Sequence, residues 1–132
     1  AGAQTALLMT WGRRDGDRLN AMLYPDYITM QNRLAEGYRS TAQRASTPER
    51  TVHIISVGTT WQHTWSRDVD GDFPALYGND GSHPSYAGSY LTAVVILKQV
   101  VGIDPTDLGR LGERPADDMA QRLRQDARDA PR

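Results

Sequence analysis

Two short apolar runs on either side of an amphipathic stretch predict an α/β fold with a parallel sheet. The runs are residues 5–11 and 51–58. Each is too short for an ordinary helix and is closed by a glycine, Gly12 or Gly58, which favours strands. A strand, a helix and a second strand in that order form the βαβ unit, and ligands of such sheets sit beyond the carboxyl ends of the strands.

The first run, Thr5-Ala6-Leu7-Leu8-Met9-Thr10-Trp11, reads as a buried strand and opens into a charged loop over residues 13–18. Tyr24-Pro25-Asp26 is a helix entry with Asp26 as N-cap. From there Tyr27, Met30, Leu34, Tyr38 and Thr41 or Ala42 recur at three or four residues, with Arg33, Glu36, Arg39 and Arg44 between them. That is one apolar face of a helix. Residues 46–50 form a turn. The second run is apolar on both sides of its alternation, as in a strand covered on two faces. Residues 60–67 read as a short helix, and residues 68–74 as a turn.

Next comes Tyr77-Gly78-Asn79-Asp80-Gly81-Ser82-His83-Pro84-Ser85. Gly78 and Gly81 admit backbone conformations closed to other residues. Pro84 keeps His83 extended and bars a helix from starting earlier. Ser85 is placed to cap the apolar helix that follows to Val101, with Gly102 as its stop. Its apolar positions include Tyr90, Leu91, Val94, Val95, Leu97 and Val101. Residues 106–114 read as a polar connector and residues 116–130 as a charged helix packing through Met119 and Leu123.

The chain is expected to form a single domain over 1–132, with its strands, helices and Asp80/His83 loop in 1–104 and a connector and terminal helix in 105–132. Its 15 Lys and Arg against 16 Asp and Glu leave a net charge of −1. That balance argues against a nucleic-acid binder working by phosphate neutralisation. No cysteine is present, so thiolate metal sites and disulfides are excluded. No apolar stretch reaches the ~18–20 residues that span a bilayer, and no membrane partner is expected. The chain begins Ala1-Gly2-Ala3-Gln4 rather than with methionine, so a further segment is expected before it.

An acid three residues before a histidine, at the lip of a helix, is two thirds of a nucleophilic triad. The block Asp80-Gly81-Ser82-His83-Pro84-Ser85, with Gly88, Tyr90 and Leu91 behind it, resembles the last conserved block of the SGNH (GDSL-type) serine hydrolases. The surrounding order of strands and helices is similar as well, over most of the chain. The resemblance implies a three-layer α/β/α, flavodoxin-like fold, of which this chain holds only the C-terminal part. It implies catalytic roles for Asp80 and His83, and a place for Trp11 beside the substrate. It also implies a small-molecule or carbohydrate ester as substrate, esterase or O-deacetylase chemistry through an acyl-enzyme without a cofactor, and a secreted or periplasmic location.

A reactive serine needs an exposed tight turn off a strand. Ser40, Ser46, Ser56, Ser66, Ser82, Ser85 and Ser89 all lack that context, and the family's Gly-Asp-Ser block and its oxyanion Gly and Asn have no counterpart here. The nucleophile is therefore expected on a missing or companion segment, the N-terminal half of the same hydrolase. Two other functions remain open: a non-catalytic module binding carbohydrate or protein, and a metal-assisted hydrolase using Asp80, His83 and the aspartates at 68, 70 and 72. Those aspartates lack the further ligands of a calcium loop, and three scattered histidines give no zinc spacing. Trp11 and Trp61 are candidates for a substrate wall or for plain aromatic packing. Arg13 and Arg14 are candidates for an acidic substrate group or for a solvated loop. His53 is expected in the core or on the sheet face, and His63 in a structural or exposed role.

Overall fold

The computed structural model describes residues 3–108 and 115–131. Strand β1 (Thr5–Leu8) pairs in parallel with β2 (Val52–Ile55), Thr5 opposite Val52 and Leu8 opposite Ile55. Helix α1 (Tyr27–Ala45) is the crossover between them. Asp26 caps it, accepting from the Thr29 amide at 2.8 Å. Past the strands the pairing continues: Met9 donates to the Ile55 carbonyl at 2.9 Å, and Gly58 donates to Met9 at 3.0 Å.

The second strand ends earlier than its β-branched run suggests. Helix α2 spans Val57–Arg67, so Val57 and Gly58 belong to its first turn. Close approach explains the break. A Cβ at Gly58 would stand 2.1 Å from the Thr10 carbonyl oxygen and 2.5 Å from Gln31 Nε2. The glycine thus lets a helix start against the end of β1.

Within the expected turn, a 3₁₀ segment at Val69–Gly71 runs into the short helix α3 (Asp72–Ala75). Helix α4 (Tyr86–Ile96) is capped by Ser85, which accepts from Gly88 at 3.2 Å, and a π-type turn at Leu97–Val101 extends it to Gly102. Gly102 stops it in the left-handed region at φ 82°. The wider π-type turn rotates the helix face, and Val101, expected inside, is exposed. Helix α5 (Asp117–Asp129) packs on α4 through Leu123, with Met119 against the same cluster. Of the polar connector expected over 106–114, residues 109–114 lie outside the described residues.

The core gathers between helices, not on the sheet. Trp61, Leu76, Leu91, Val94, Val95 and Leu123 are fully buried, and Phe73, Tyr77 and Tyr27 join them. The strands, the first expected to be buried and the second to be covered on two faces, are peripheral. Val52 is the buried residue of the pair, while Thr5, Ala6, Leu8 and His53 are exposed. Helix α1 covers one face: Leu7 shares a hollow with Leu34 and Tyr38. On the other, Ala6 and His53, partners in register, line an open groove of about 680 Å³ with Gln99 and Val100. His53 thus lies on an exposed sheet face.

The buried positions of α1 are Tyr27, Gln31, Ala35 and Ala42, so its inward face is rotated from the apolar stripe read in the sequence. Gln31 turns inward because its side-chain carbonyl accepts the Gly12 amide at 2.8 Å. A buried polar side chain is tolerated where it finds such a partner.

Candidate active site

The carboxyl ends of the two strands and the loop after α3 meet at one rim. Strand β1 delivers Trp11 and Gly12, and the start of α2 delivers Trp61. Trp11 stacks on Trp61 with ring centroids 4.1 Å apart and planes 5° from parallel. Its indole Nε1 donates to the Ser82 carbonyl at 3.2 Å. Tyr77 donates its hydroxyl to the Gly12 carbonyl at 2.7 Å, and the Arg14 amide donates to the Gly81 carbonyl at 2.8 Å. Burial pushes the Tyr77 phenol far up, so it stays a neutral donor. These three bonds fasten the loop after β1 to the loop carrying Asp80 and His83.

That second loop is closed by its own backbone. Gly78 donates to the His83 carbonyl at 2.8 Å, Gly81 to Gly78 at 3.0 Å, and Ser85 to Leu76 at 2.8 Å. Gly81 sits at φ 66°, a conformation that favours glycine. Gly78 has no such requirement, since a Cβ there would make ordinary contact, 3.6 Å from the His83 oxygen.

Asp80 organises the polar contacts of this loop. One carboxylate oxygen accepts the amides of Ser82 and His83, each at 2.9 Å, and the other lies 2.5 Å from His83 Nδ1. The bond to the imidazole, followed by the two amides, holds the Asp80 carboxyl well below the usual carboxylate range. It therefore stays ionised across the physiological range. The His83 side chain is 83% exposed, so the ring edge bearing Nε2 is open to solvent. A carboxylate on Nδ1 sets the tautomer that carries the proton there and leaves Nε2 free to accept one.

Beside the pair lies a cleft of about 560 Å³, shared by Arg13, Arg14, Asp15, Leu19, Asp80 and His83. Arg14 meets Asp15 through both Nε and Nη2, and Arg13 meets Asp17 at 2.9 Å. Both guanidinium groups are thus engaged within their own loop.

The remaining candidates are placed as follows. Trp61 is fully buried and belongs to the core, which removes it from any substrate wall. Trp11 is half-buried, between Trp61 and Ser82. His63 leans on α5, its Nε2 3.9 Å from Asp126. Of the three aspartates of the turn, Asp68 accepts the Phe73 amide at 3.0 Å, while Asp70 and the buried Asp72 both face Arg122, at 3.7 and 2.6 Å. Among the described residues no group of three or more acidic or histidine side chains is arranged to hold a metal ion. Nor is any serine hydroxyl among them hydrogen-bonded to His83; Ser85 donates to Ala75, Ser66 to His63 and Ser46 to Ala42. Of the two residues that anchor the rim, Gln31 is absent from the sequence reading and Tyr77 enters it only as the start of the loop, because each acts through a distant backbone group.

No family model and no curated protein matches the chain. Among solved structures, a DUF4886 family protein from Bacteroides uniformis is similar in fold, with a TM-score of 0.78 at 15% sequence identity. The match covers 95% of this chain and 46% of the other, so the chain spans less than half of that protein's length. At that identity the likeness concerns fold alone. The chain is an α/β protein with a parallel two-stranded sheet among its described residues.

Proposed function

We propose that this chain supplies the general base of a serine ester hydrolase of the SGNH type, and that it is the C-terminal part of a three-layer α/β/α enzyme. The observation that carries the reading is the Asp80–His83 pair, closed at 2.5 Å and held on a loop whose backbone bonds leave it little freedom. A base must be oriented before it can work, and Asp80 provides that orientation.

The nucleophilic serine and the oxyanion donors come from another segment. Nε2 of His83 takes the serine proton as the oxygen bonds to the ester carbonyl carbon. The bond to the leaving alcohol then breaks, and the alcohol takes the proton from His83. Water repeats the sequence, releasing the acid and restoring the serine. Asp80 stabilises the imidazolium formed in each half. Trp11 borders the substrate and braces the loop through Ser82. The open groove beside Ala6 and His53 supports a missing layer over that face of the sheet, since an uncovered face of this kind calls for a cover.

Turnover of an activated ester such as p-nitrophenyl acetate by the complete polypeptide tests the reading. His83→Ala removes most of it, and Asp80→Asn lowers it on the order of a thousandfold or more. If both variants turn over at the wild-type rate, the loop is architecture only and the non-catalytic binding module takes its place.

A further inference from the structure

The peptide groups on either side of Gly12 are held by two buried side chains. The Gly12 amide donates to Gln31 Oε1 at 2.8 Å, and the Gly12 carbonyl accepts from the Tyr77 hydroxyl at 2.7 Å. Gln31 belongs to α1 and Tyr77 opens the His83 loop, so a single residue joins three segments. The meeting is close: a Cβ at Gly12 would stand 3.2 Å from both the Gln31 amide and the Tyr27 carbonyl.

Tyr77 has two kinds of attachment. Its ring packs edge-on against Trp61 and Phe73, with centroids 4.8 and 5.3 Å away, and its backbone pairs with Pro84, the residue after His83. A phenylalanine would make the same ring contacts. The hydroxyl adds little to that packing, and its bond goes to a backbone group 65 residues back along the chain. A buried hydroxyl is kept where a partner meets it, and here the partner is the rim.

His83 needs support from outside its own loop. Its side chain is 83% exposed, and Asp80, which holds it, lies on the same loop. Asp80 fixes how the imidazole turns, but not where the loop stands relative to a serine arriving on another segment. That placement falls to the bonds crossing from the loop after β1: Tyr77 to Gly12, Trp11 to Ser82 and Arg14 to Gly81. The Tyr77 bond is buried and free of competition from water, whereas that of Trp11 is partly open.

We infer that Tyr77 is a positioning residue for the general base: its hydroxyl, through the Gly12 peptide that Gln31 holds from the other side, sets where His83 meets the nucleophile. The inference rests on the ester-hydrolase reading and adds to it a residue that touches neither substrate nor reacting atoms. A base misplaced by about 1 Å costs up to about a hundredfold in rate.

Tyr77→Phe in the complete polypeptide removes one oxygen and leaves the ring contacts. Hydrolysis of p-nitrophenyl acetate, counted per site titrated with a fluorophosphonate so that unfolded protein is excluded, loses about ten- to a hundredfold in kcat at unchanged KM. Gln31→Met, which frees Gly12 from α1, gives the same split. Hydrogen exchange of the Trp11 indole N–H, followed by NMR, quickens in both variants, while the Leu91 and Val94 amides inside α4 keep their wild-type rates. A wild-type kcat in Tyr77→Phe overturns the inference, as does a loss carried by KM alone, and both leave the hydrolase reading intact. An unchanged indole rate overturns it whatever the kinetics show. If the wild type hydrolyses no ester, the hydrolase reading fails, and the indole rate alone decides whether Tyr77 places the loop.

Discussion

Gly88→Ala is expected to destabilise the protein and to disturb the His83 loop with it. A Cβ at Gly88 would stand 2.2 Å from the Leu76 carbonyl oxygen and 2.9 Å from two ring carbons of Trp61. Real contacts of this kind stay above 3.0 Å, so the carbonyl or the helix must retreat by about 0.8 Å. Trp61 and Leu76 are both fully buried and have little room to yield. Overpacking of this sort costs about 3 kcal/mol at the upper end of its range, offset by about 1 kcal/mol of helix propensity gained by alanine. The net loss is about 2 kcal/mol, or roughly 6–10 °C in Tm for a chain of this size. The Leu76 carbonyl is also the acceptor of the Ser85 amide at 2.8 Å, two residues beyond His83. Its displacement reaches the loop. Gly37→Ala in α1 is the control, because nothing lies within 4 Å of its Cβ. That change raises stability by up to about 1 kcal/mol. Differential scanning calorimetry of both variants reads the outcome, with amide exchange at Ser82 and His83 for the loop. A Gly88→Ala protein as stable as the wild type would refute the packing argument.

Other expectations follow from single contacts. Arg122 reaches buried Asp72 with Nε at 2.6 Å and Nη2 at 2.8 Å, tying the start of α3 to α5. Arg122→Met strands that carboxylate and costs about 3–5 kcal/mol in urea unfolding, while a second change, Asp72→Leu, recovers much of the loss. Burial holds the Asp126 carboxyl above its usual range, against the pull of Arg67 at 3.2 Å. A raised carboxyl favours the fold fully below its ordinary value and loses that contribution as pH rises through the raised one. Asp126→Asn therefore gains stability relative to the wild type as pH rises above the ordinary carboxylate range, as paired unfolding curves would show. Trp11→Phe keeps the stack on Trp61 but loses the bond to Ser82, worth about 0.5–1.5 kcal/mol. Amide exchange in the Asp80 loop quickens; unchanged exchange would mean that Trp11 does not brace it.

The parts of the fold legible in the sequence are those decided by local chemistry. Asp26 and Ser85 cap their helices because an oxygen in an extended residue reaches the first free amides, and Gly102 stops α4 because glycine accepts a positive φ. The Asp80–His83 spacing is local as well, three residues across one turn of loop. What the sequence hid was tertiary. Val57 and Gly58 continue a strand pattern, and only the approach of Thr10 and Gln31 makes them the start of a helix. Gln31 lies outside the apolar stripe of its helix, and its bond to the Gly12 amide is what turns it inward. Asp72 reads as one of three turn aspartates until Arg122, 50 residues on, claims it. Trp61 reads equally as wall or core, and the stack of Trp11 upon it places it in the core.

The central claim is that His83, held by Asp80, activates a serine brought by another segment. Treating the complete polypeptide with a fluorophosphonate and locating the adduct by mass spectrometry tests it most directly. The account predicts one labelled serine outside these 132 residues, with labelling lost in His83→Ala. Absence of an adduct, an adduct on a serine within this chain, or labelling indifferent to His83 would contradict it.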